Sequence, residues 1–155
     1  MITFAFIDGQ NLHLAIKDQG WTLNYARLRR YLKEKYGVSR AFIFIGYIPK
    51  NKHLYQALEN DGYILIFKPI LYLGKGEIKG NVDVDLAVHC MIEFSHFEKA
   101  IIVSGDGDFY CLFRHLIREK KLLKILIPNK KRFSTLLRHF QPYLAYISDI
   151  KNRLL

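Results

Sequence analysis

Five short runs of consecutive apolar residues constrain the fold of this 155-residue chain more than any other feature. The runs are FAFI, FIFI, ILIF, IIV and ILI, and each is typical of a strand that is buried on both faces of a parallel sheet. The strands predicted from them are Thr3–Ile7, Ala41–Ile45, Tyr63–Phe67, Ala100–Val103 and Leu123–Ile127, with a weaker one at Leu144–Ile147.

Segments with helical periodicity lie between these strands. Tyr25–Lys35 carries Leu28 and Leu32 on one stripe, with Asn24 as the expected N-cap and Gly37 just past the end. Further helices are predicted at Lys52–Asn60, Val82–Phe94 and Phe109–Lys120. Because strands and helices alternate throughout, we expect an α/β fold with a doubly wound, mainly parallel sheet, formed as a single domain over residues 1–155.

The charge of the chain is strongly basic and unevenly distributed. Lys and Arg number 24 against 14 Asp and Glu, for a net charge of +10. Residues 110–155 contain 11 basic and two acidic side chains, which accounts for most of the excess. Such a segment is typical of a protein that binds a polyanion, although a solvated lysine-rich surface is an equal alternative on composition alone.

Hydropathy and cysteine content exclude several other classes of protein. No apolar run approaches the roughly 18 residues of a membrane span, and the first ten residues do not resemble a signal peptide. Cys90 and Cys111 are 21 positions apart and lack a CxxC or CxxH companion, which argues against a zinc framework and favours reduced thiols. We therefore expect a soluble, cytoplasmic protein that does not associate with membranes.

Five of the 14 acids are expected at one edge of the predicted sheet, where the parallel strands have their carboxyl ends. Asp8 directly follows the first strand, Asp106 and Asp108 follow the strand AIIV, and Asp83 and Asp85 open a helix for which Asn81 is the expected cap. Ligands of open α/β sheets bind at this edge. Clustered carboxylates repel one another, and their hard oxygens suit Mg²⁺ or Mn²⁺.

The neighbourhood of these acids gives further indications. Gly105 and Gly107 would let a metal ion or a phosphate approach the backbone, and His89 is placed one helical turn after Asp85, as a supporting partner. The alternative for any single Asp is that it caps the helix that follows it.

The chain lacks a Walker loop, a GxGxxG fingerprint and a GxSxG elbow. The acids of receiver domains and of haloacid-dehalogenase-type phosphatases are also not matched.

Three sequence blocks together resemble the signature of a known family. IDGQN (Ile7–Asn11), KGNVDVDL (Lys79–Leu86) and VSGDGDF (Val103–Phe109) are similar to the NYN domain, the LabA-like or DUF88 branch of the PIN-like nuclease superfamily. The resemblance implies a Rossmann-like three-layer sandwich of strand order 3-2-1-4-5 and metal-dependent cleavage of RNA. It implies that the metal-binding and catalytic acids are Asp8, Asp83, Asp106 and Asp108, that Asp85 is a less certain ligand, and that Asn11 orients Asp8 or a water.

The expected function is therefore a ribonuclease that uses Mg²⁺ or Mn²⁺, with RNA as its partner. The residues expected to bind substrate are Ser104, Lys79, Arg114, Lys130, Lys131 and Arg132. Aromatic residues interleaved with these cations, Tyr110 and Phe140 among them, either stack on bases or pack in the core. The alternative is an RNA-binding or adaptor module that holds a structural ion without turnover. The sequence leaves open whether the chain forms a homodimer.

The segment Pro69–Asn81 is longer than the usual connection in an α/β fold and contains three glycines. We expect it to form a mobile flap over the cleft, with Lys75 and Lys79 reaching substrate phosphate.

Overall fold

The computed structural model describes residues 1–69, 71–73, 77–79 and 82–155, the two short middle stretches by their backbone alone. The strands are β1 Thr3–Asp8, β2 Val38–Tyr47, β3 Tyr63–Pro69, β4 Leu71–Leu73, β5 Glu77–Lys79, β6 Lys99–Val103, β7 Leu122–Ile127 and β8 Leu144–Tyr146. The helices are α1 Gly9–Asp18, α2 Tyr25–Tyr36, α3 Lys52–Asn60, α4 Asp83–Ile92, α5 Tyr110–Arg118 and α6 Lys151–Leu154. Turns of 3₁₀ helix cover Pro49–Asn51, Phe94–His96, Gly107–Phe109, Thr135–Tyr143 and Ile147–Ile150.

Six of the strands form one parallel sheet in the order β3-β2-β1-β6-β7-β8. Counted along the chain without the separate antiparallel ribbon of β4 and β5, this order reads 3-2-1-4-5-6. The expected α/β sandwich with strand order 3-2-1-4-5 is confirmed, and the weak strand predicted near residue 144 extends it by one strand. The strand order reverses between β1 and β6, because β2 and β3 extend the sheet on one side of β1 and β6, β7 and β8 extend it on the other.

The alternation of side chains along each strand divides the core into two layers. In β1, Phe4 and Phe6 pack with α4 and α5, whereas Ala5 and Ile7 pack with α1 and α2 on the other face. Both sets are nearly or fully buried. The continuous apolar runs of the central strands follow from this, because their residues face one of two helical layers. The edge strand β3 departs from the prediction of burial on both faces, since Ile64 and Phe67 are exposed.

Local sequence signals mark the boundaries of several elements. The Asn24 side chain accepts a hydrogen bond from the Arg27 amide at the start of α2, and Gly37 closes the helix with a φ of 71°. That left-handed conformation suits glycine, so both predicted caps of α2 are confirmed.

Other boundaries differ from the sequence prediction. Helix α1 is not among the helices predicted from the sequence, although the residues that it buries, Gly9, Leu12 and Ile16, are spaced three and four apart as on one face of a helix. Helix α4 begins at Asp83 with Val82 at the N-cap position, without a side-chain cap. The expected cap Asn81 lies outside the described residues.

The long segment after β3 contains the ribbon of β4 and β5, with Leu71 paired to Lys79 and Leu73 to Glu77. Six of the 13 positions of the predicted flap, 70, 74–76, 80 and 81, lie outside the described residues, and so do the side chains of Lys75 and Lys79. None of the helices in the described part of the chain has the length and apolar character of a membrane span.

Candidate functional site

The pairing of β1 with β6 brings the first two polar residues of the site together. Ile7 is in register with Val103 on the neighbouring parallel strand, so Asp8 and Ser104 come next on each. Since Phe6 faces α4 and α5, the alternation of the strand turns Asp8 toward the same layer. Asp8 is only 3% exposed.

A network of short-range hydrogen bonds fixes Asp8. The amide of Asn11 donates to Asp8 Oδ1 at 3.1 Å, which makes Asp8 the N-cap of α1. The Ser104 hydroxyl donates to Asp8 Oδ2 at 3.4 Å and accepts from the Asp106 amide at 3.1 Å. The Asn11 side-chain oxygen accepts from the Gly105 amide at 2.9 Å. Asn11 therefore positions both Asp8 and the loop after β6.

The buried position of Ser104 bears on its predicted role. Its side chain has no exposed surface, so its hydroxyl is not available to a substrate. The contacts of Ser104 position Asp8 and the backbone of Asp106, in place of the substrate contact predicted from the sequence.

Three carboxylates from separate elements converge at this point: Asp8 at the end of β1, Asp83 at the start of α4, and Asp106 after β6. Each offers one oxygen atom, and the three atoms lie within 4.8 Å of one another. We call these three residues the acid cluster. Asp8 is buried, and the other two are partly exposed, so the cluster opens to solvent on one side.

Burial and mutual repulsion oppose ionisation of the acid cluster. Burial is the main cause that raises the pKa of Asp8 to about 6, with the charge of Asp106 adding to it. For Asp83, burial comes first, followed by a hydrogen bond with Asp106 and the charges of Asp106, Asp8 and Asp108, and together they raise the pKa to about 7. Near neutral pH, a positive charge beside the acid cluster would therefore favour the ionised form of both carboxylates.

The other two predicted acids do not join the acid cluster. Asp108 is exposed, and its amide donates to Asp106 Oδ1 at 2.9 Å, so Asp106 caps the turn Gly107–Phe109. Its charge nevertheless contributes to the raised pKa of Asp83. Asp85 lies two residues after Asp83 on a different face of α4, and its Oδ2 lies 3.4 Å from Lys68 Nζ.

His89 does not support Asp85 as predicted. Its Nε2 lies 3.7 Å from Glu93 Oε1, one turn toward the C-terminal end of α4. Its ring packs against Phe42 and Phe44, with centroids 5.0 and 5.6 Å away. His89 is therefore part of the packing between α4 and the sheet.

The glycines of the loop after β6 have a structural reason that differs from the predicted one. A Cβ on Gly107 would collide with the side chain of Ser134, and one on Gly105 would lie 3.2 Å from Phe133 Cβ. The Ser134 amide also donates to the Gly105 carbonyl at 3.1 Å. The absent side chains make room for the segment that follows β7.

The predicted substrate-binding cations lie in two places. Lys130, Lys131 and Arg132, here called the basic loop, are exposed and belong to the segment tied to Gly105. Lys130 lies 3.5 Å from Asp149, and Arg132 lies 3.5 Å from Asp18. Both pairs are solvent-exposed, so each is worth at most about 1 kcal/mol and is easily exchanged for a phosphate.

Arg114 lies on α5, where its guanidinium is 5.8 Å from the centre of the Tyr110 ring. A groove of about 710 Å³ runs between α4 and α5 and is lined by both residues, by Arg118, and at one end by Asp83 and Asp108. We call it the α4–α5 groove. The side chain of Lys79, the remaining predicted cation, lies outside the described residues.

Sequence reasoning missed the apolar lining of this groove. Val84 and Met91 contribute to it from α4, and both are exposed. The signal was present in the sequence, because α4 carries apolar residues on two faces, one of which packs Leu86 and Cys90 in the core. Of the aromatic residues considered for stacking, Phe140 belongs to the core, and Tyr110 reaches the groove.

The acid cluster is suited to a divalent metal ion. Hard carboxylate oxygens from three rigid elements, open on one side, match the preference of Mg²⁺ and Mn²⁺ for a few protein carboxylates completed by water and phosphate oxygens. A cation there would also relieve the repulsion that raises the pKa values of Asp8 and Asp83.

In protein stripped of metal with EDTA, we expect stability to fall as pH rises from about 4 to about 7. A carboxyl whose pKa is higher in the folded state than in the unfolded state holds its proton longer in the folded state, so the free energy of unfolding decreases with pH. For Asp8, the shift from 3.8 to about 6 corresponds to at most about 3 kcal/mol. Urea denaturation of an Asp8→Asn variant should show a gain of up to that size at about pH 8 and little at about pH 4.

Glu34→Gln serves as the control, since Glu34 is an exposed acid on α2. This variant should show the same difference in the free energy of unfolding between about pH 4 and about pH 8 as the wild-type protein. An Asp8→Asn variant that gains no stability at the higher pH would show that the folded protein does not disfavour the ionised form of Asp8.

Comparisons with known proteins bear on the family of this chain. The sequence model of the NYN domain matches residues 3–147, nearly the whole chain. A solved structure of a protein of unknown function from Vibrio parahaemolyticus is similar, with 24% identity, a TM-score of 0.75, and coverage of 96% of this chain and 93% of that one. That likeness concerns the fold alone. No match to a curated protein was found. With the three sequence blocks and the acid cluster at the sheet edge, the match over residues 3–147 shows that this chain belongs to the NYN domain family.

Proposed function

We propose that the chain is a ribonuclease that hydrolyses RNA phosphodiester bonds with the help of Mg²⁺ or Mn²⁺ bound by the acid cluster. The observation that supports this most is the convergence of Asp8, Asp83 and Asp106 oxygens within 4.8 Å at the carboxyl edge of the sheet. NYN domains belong to the PIN-like nuclease superfamily, and NYN nucleases act on RNA. The arrangement is one that metal-assisted phosphodiester hydrolysis requires.

The roles of the acids follow from their surroundings. Asp8 is the most fixed, since Asn11 and Ser104 hold its two oxygens. Asp106 has its backbone held by Ser104, and Asp83 comes from the first turn of α4. A metal ion bound there would lower the pKa of a water molecule and neutralise charge on the attacked phosphate. Asp108, exposed beside them, is proposed to complete the metal's coordination or to orient the water.

The basic loop is proposed to hold the RNA backbone on one side of the acid cluster. The segment that contains the basic loop is joined to the loop that carries Asp106 through the hydrogen bond from the Ser134 amide to the Gly105 carbonyl. Lys121, one of the 11 basic residues of the segment 110–155, donates to the carbonyls of Phe94 and Phe97 at 2.7 and 2.6 Å. That residue stabilises the core and is left out of the proposed track.

A second function has one observation in its favour. Oxygens of Asp8 and Asp106 both cap helical turns, so these acids would stabilise the fold even without catalysis. An RNA-binding module that holds a structural ion is the corresponding alternative. It would show a rise in Tm with Mn²⁺ and RNA binding, but no cleavage.

The proposal predicts that Asp8→Asn and Asp106→Asn each reduce RNA cleavage by more than about a hundredfold, because each removes a charged ligand of the metal. Cleavage of a labelled single-stranded RNA by the wild-type protein should also stop in EDTA and return with excess Mg²⁺. The Glu34→Gln variant should cleave like wild type. Undiminished turnover in either Asn variant, with metal in excess, would place the active site elsewhere.

Asp85→Asn should reduce cleavage about tenfold or less, well below the loss in Asp83→Asn. Asp83 belongs to the acid cluster, whereas Asp85 pairs with Lys68. The comparison uses initial rates at saturating metal, with the Tm of each variant measured to confirm folding. Equal losses would make Asp85 a metal ligand.

Replacing Lys130, Lys131 and Arg132 together by Gln should weaken the binding of all RNA sequences alike. Each neutralised phosphate on a single strand contributes about −0.7 to the slope of log K against log salt, so the slope should flatten by up to roughly 2. Fluorescence anisotropy in Ca²⁺, which blocks turnover, measures this slope. The matched control replaces Lys33 and Lys35 by Gln on α2, and an unchanged slope in the triple variant would assign the basic loop to solubility only.

A further inference from the structure

The α4–α5 groove differs in character from the rest of the site. It begins at Asp83 and Asp108, beside the acid cluster, and continues between the two helices over a volume of about 710 Å³. Pockets that take small ligands span roughly 300–1,000 Å³, a size that suits a short stretch of nucleotides better than a folded partner.

The floor of the groove is apolar. Val84, Ala87 and Met91 line it from α4, and Val84 and Met91 are 70% and 43% exposed. Tyr110 lines it from α5. An exposed apolar surface next to a charged site requires a ligand with an apolar face of its own, and the flat faces of nucleobases provide one.

The rim of the groove is cationic. Arg114 and Arg118 are both exposed, and their spacing of four residues puts them one above the other, about 6 Å apart along α5. Among the described residues, neither guanidinium makes an ion pair with an acid, in contrast to Lys130 and Arg132 of the basic loop. Arg114 lies over the Tyr110 ring, which preserves its charge for an anion.

These features select one kind of nucleic acid. In a duplex the bases are stacked inside and expose only their edges, so an apolar floor between two helices has nothing to contact. In a single strand the bases are free to lie on apolar and aromatic side chains while the phosphates follow a line of cations.

We propose that the α4–α5 groove binds the unpaired nucleotides on one side of the scissile phosphate, with bases on Val84, Met91 and Tyr110 and phosphates on Arg114 and Arg118. This inference rests on the ribonuclease function proposed above and adds that the substrate is single-stranded where it leaves the acid cluster. The basic loop then holds the strand on the other side.

The experiment compares two double variants on the same helix. Val84→Ser with Met91→Ser removes the apolar floor, and Val88→Ser with Ile92→Ser removes two equally exposed apolar residues that do not line the groove. Binding of a labelled oligouridine of about ten nucleotides is measured by anisotropy in Ca²⁺. The groove variant should raise Kd at least about fivefold, and the control variant less than about twofold.

Three further measurements make the assignment specific. Binding of an RNA duplex of the same length should be weaker in wild type and unchanged by the groove variant. Arg114→Gln with Arg118→Gln should flatten the salt dependence of oligouridine binding, whereas Lys33→Gln with Lys35→Gln should not. The rise in Tm with Mn²⁺ should be the same in wild type and groove variant, since the acid cluster is intact.

Equal Kd values for the groove and control variants would overturn the proposal. A dimer in light scattering that the groove variant separates into monomers would also overturn it, because a second copy of the chain would then occupy the groove. The same experiments distinguish failure of this inference from failure of the proposed function. If the wild-type protein does not cleave oligouridine or other RNA with Mg²⁺ or Mn²⁺, the proposed ribonuclease function is wrong. If it cleaves RNA but the groove variant binds oligouridine as tightly as the wild-type protein, only the groove assignment is wrong.

Discussion

The parallel pairing of β1 with β6 is the constraint on which the rest of the site depends. With Ile7 opposite Val103, the two strands end side by side, and their next residues are Asp8 and Ser104. A shift of one residue in either strand would turn its polar residue to the opposite face of the sheet. It would also move the buried apolar residues of that strand to the wrong face. The buried apolar runs on both sides of the sheet fix the register, and the register fixes the geometry of the acids.

The acid cluster shows how a stable fold maintains an unfavourable charge arrangement. Two of its members contribute to the fold as caps, so the chain gains backbone hydrogen bonds from the same carboxylates that repel one another. Burial by the two helical layers raises the pKa values of Asp8 and Asp83. The packing of the apolar core stabilises the fold in spite of this repulsion. A cation bound between the acids would offset the repulsion, so the fold provides a preformed site for one.

The basic excess of the chain is divided among different tasks. Lys121 has a structural role, because its ammonium group donates hydrogen bonds to two backbone carbonyls and lies 4.4 Å from the centre of the Phe94 ring. Lys68 pairs with Asp85. Arg114 and the basic loop stay exposed on the surface. Net charge therefore indicates a polyanionic partner, but only the positions of individual cations indicate a path for it.

The sequence by itself determined the α/β class, the parallel sheet and the edge at which the acids gather, because continuous apolar runs and strand-end carboxylates are local patterns with one structural solution. It also determined the caps of α2, which depend on residues within one turn of each other. Residue patterns alone did not determine which of the five acids converge, although the family resemblance already ranked Asp85 below the other four. Only the structure shows that Asp83 joins Asp8 and Asp106 while Asp85 pairs with Lys68. The reason for Gly105 and Gly107 was equally out of reach, because Phe133 and Ser134 are distant in sequence and meet them only after β7 has paired with β6. Helix α1, the buried position of Ser104 and the α4–α5 groove were decided by tertiary structure for the same physical reason: each depends on contacts between segments that only the assembled sheet brings together.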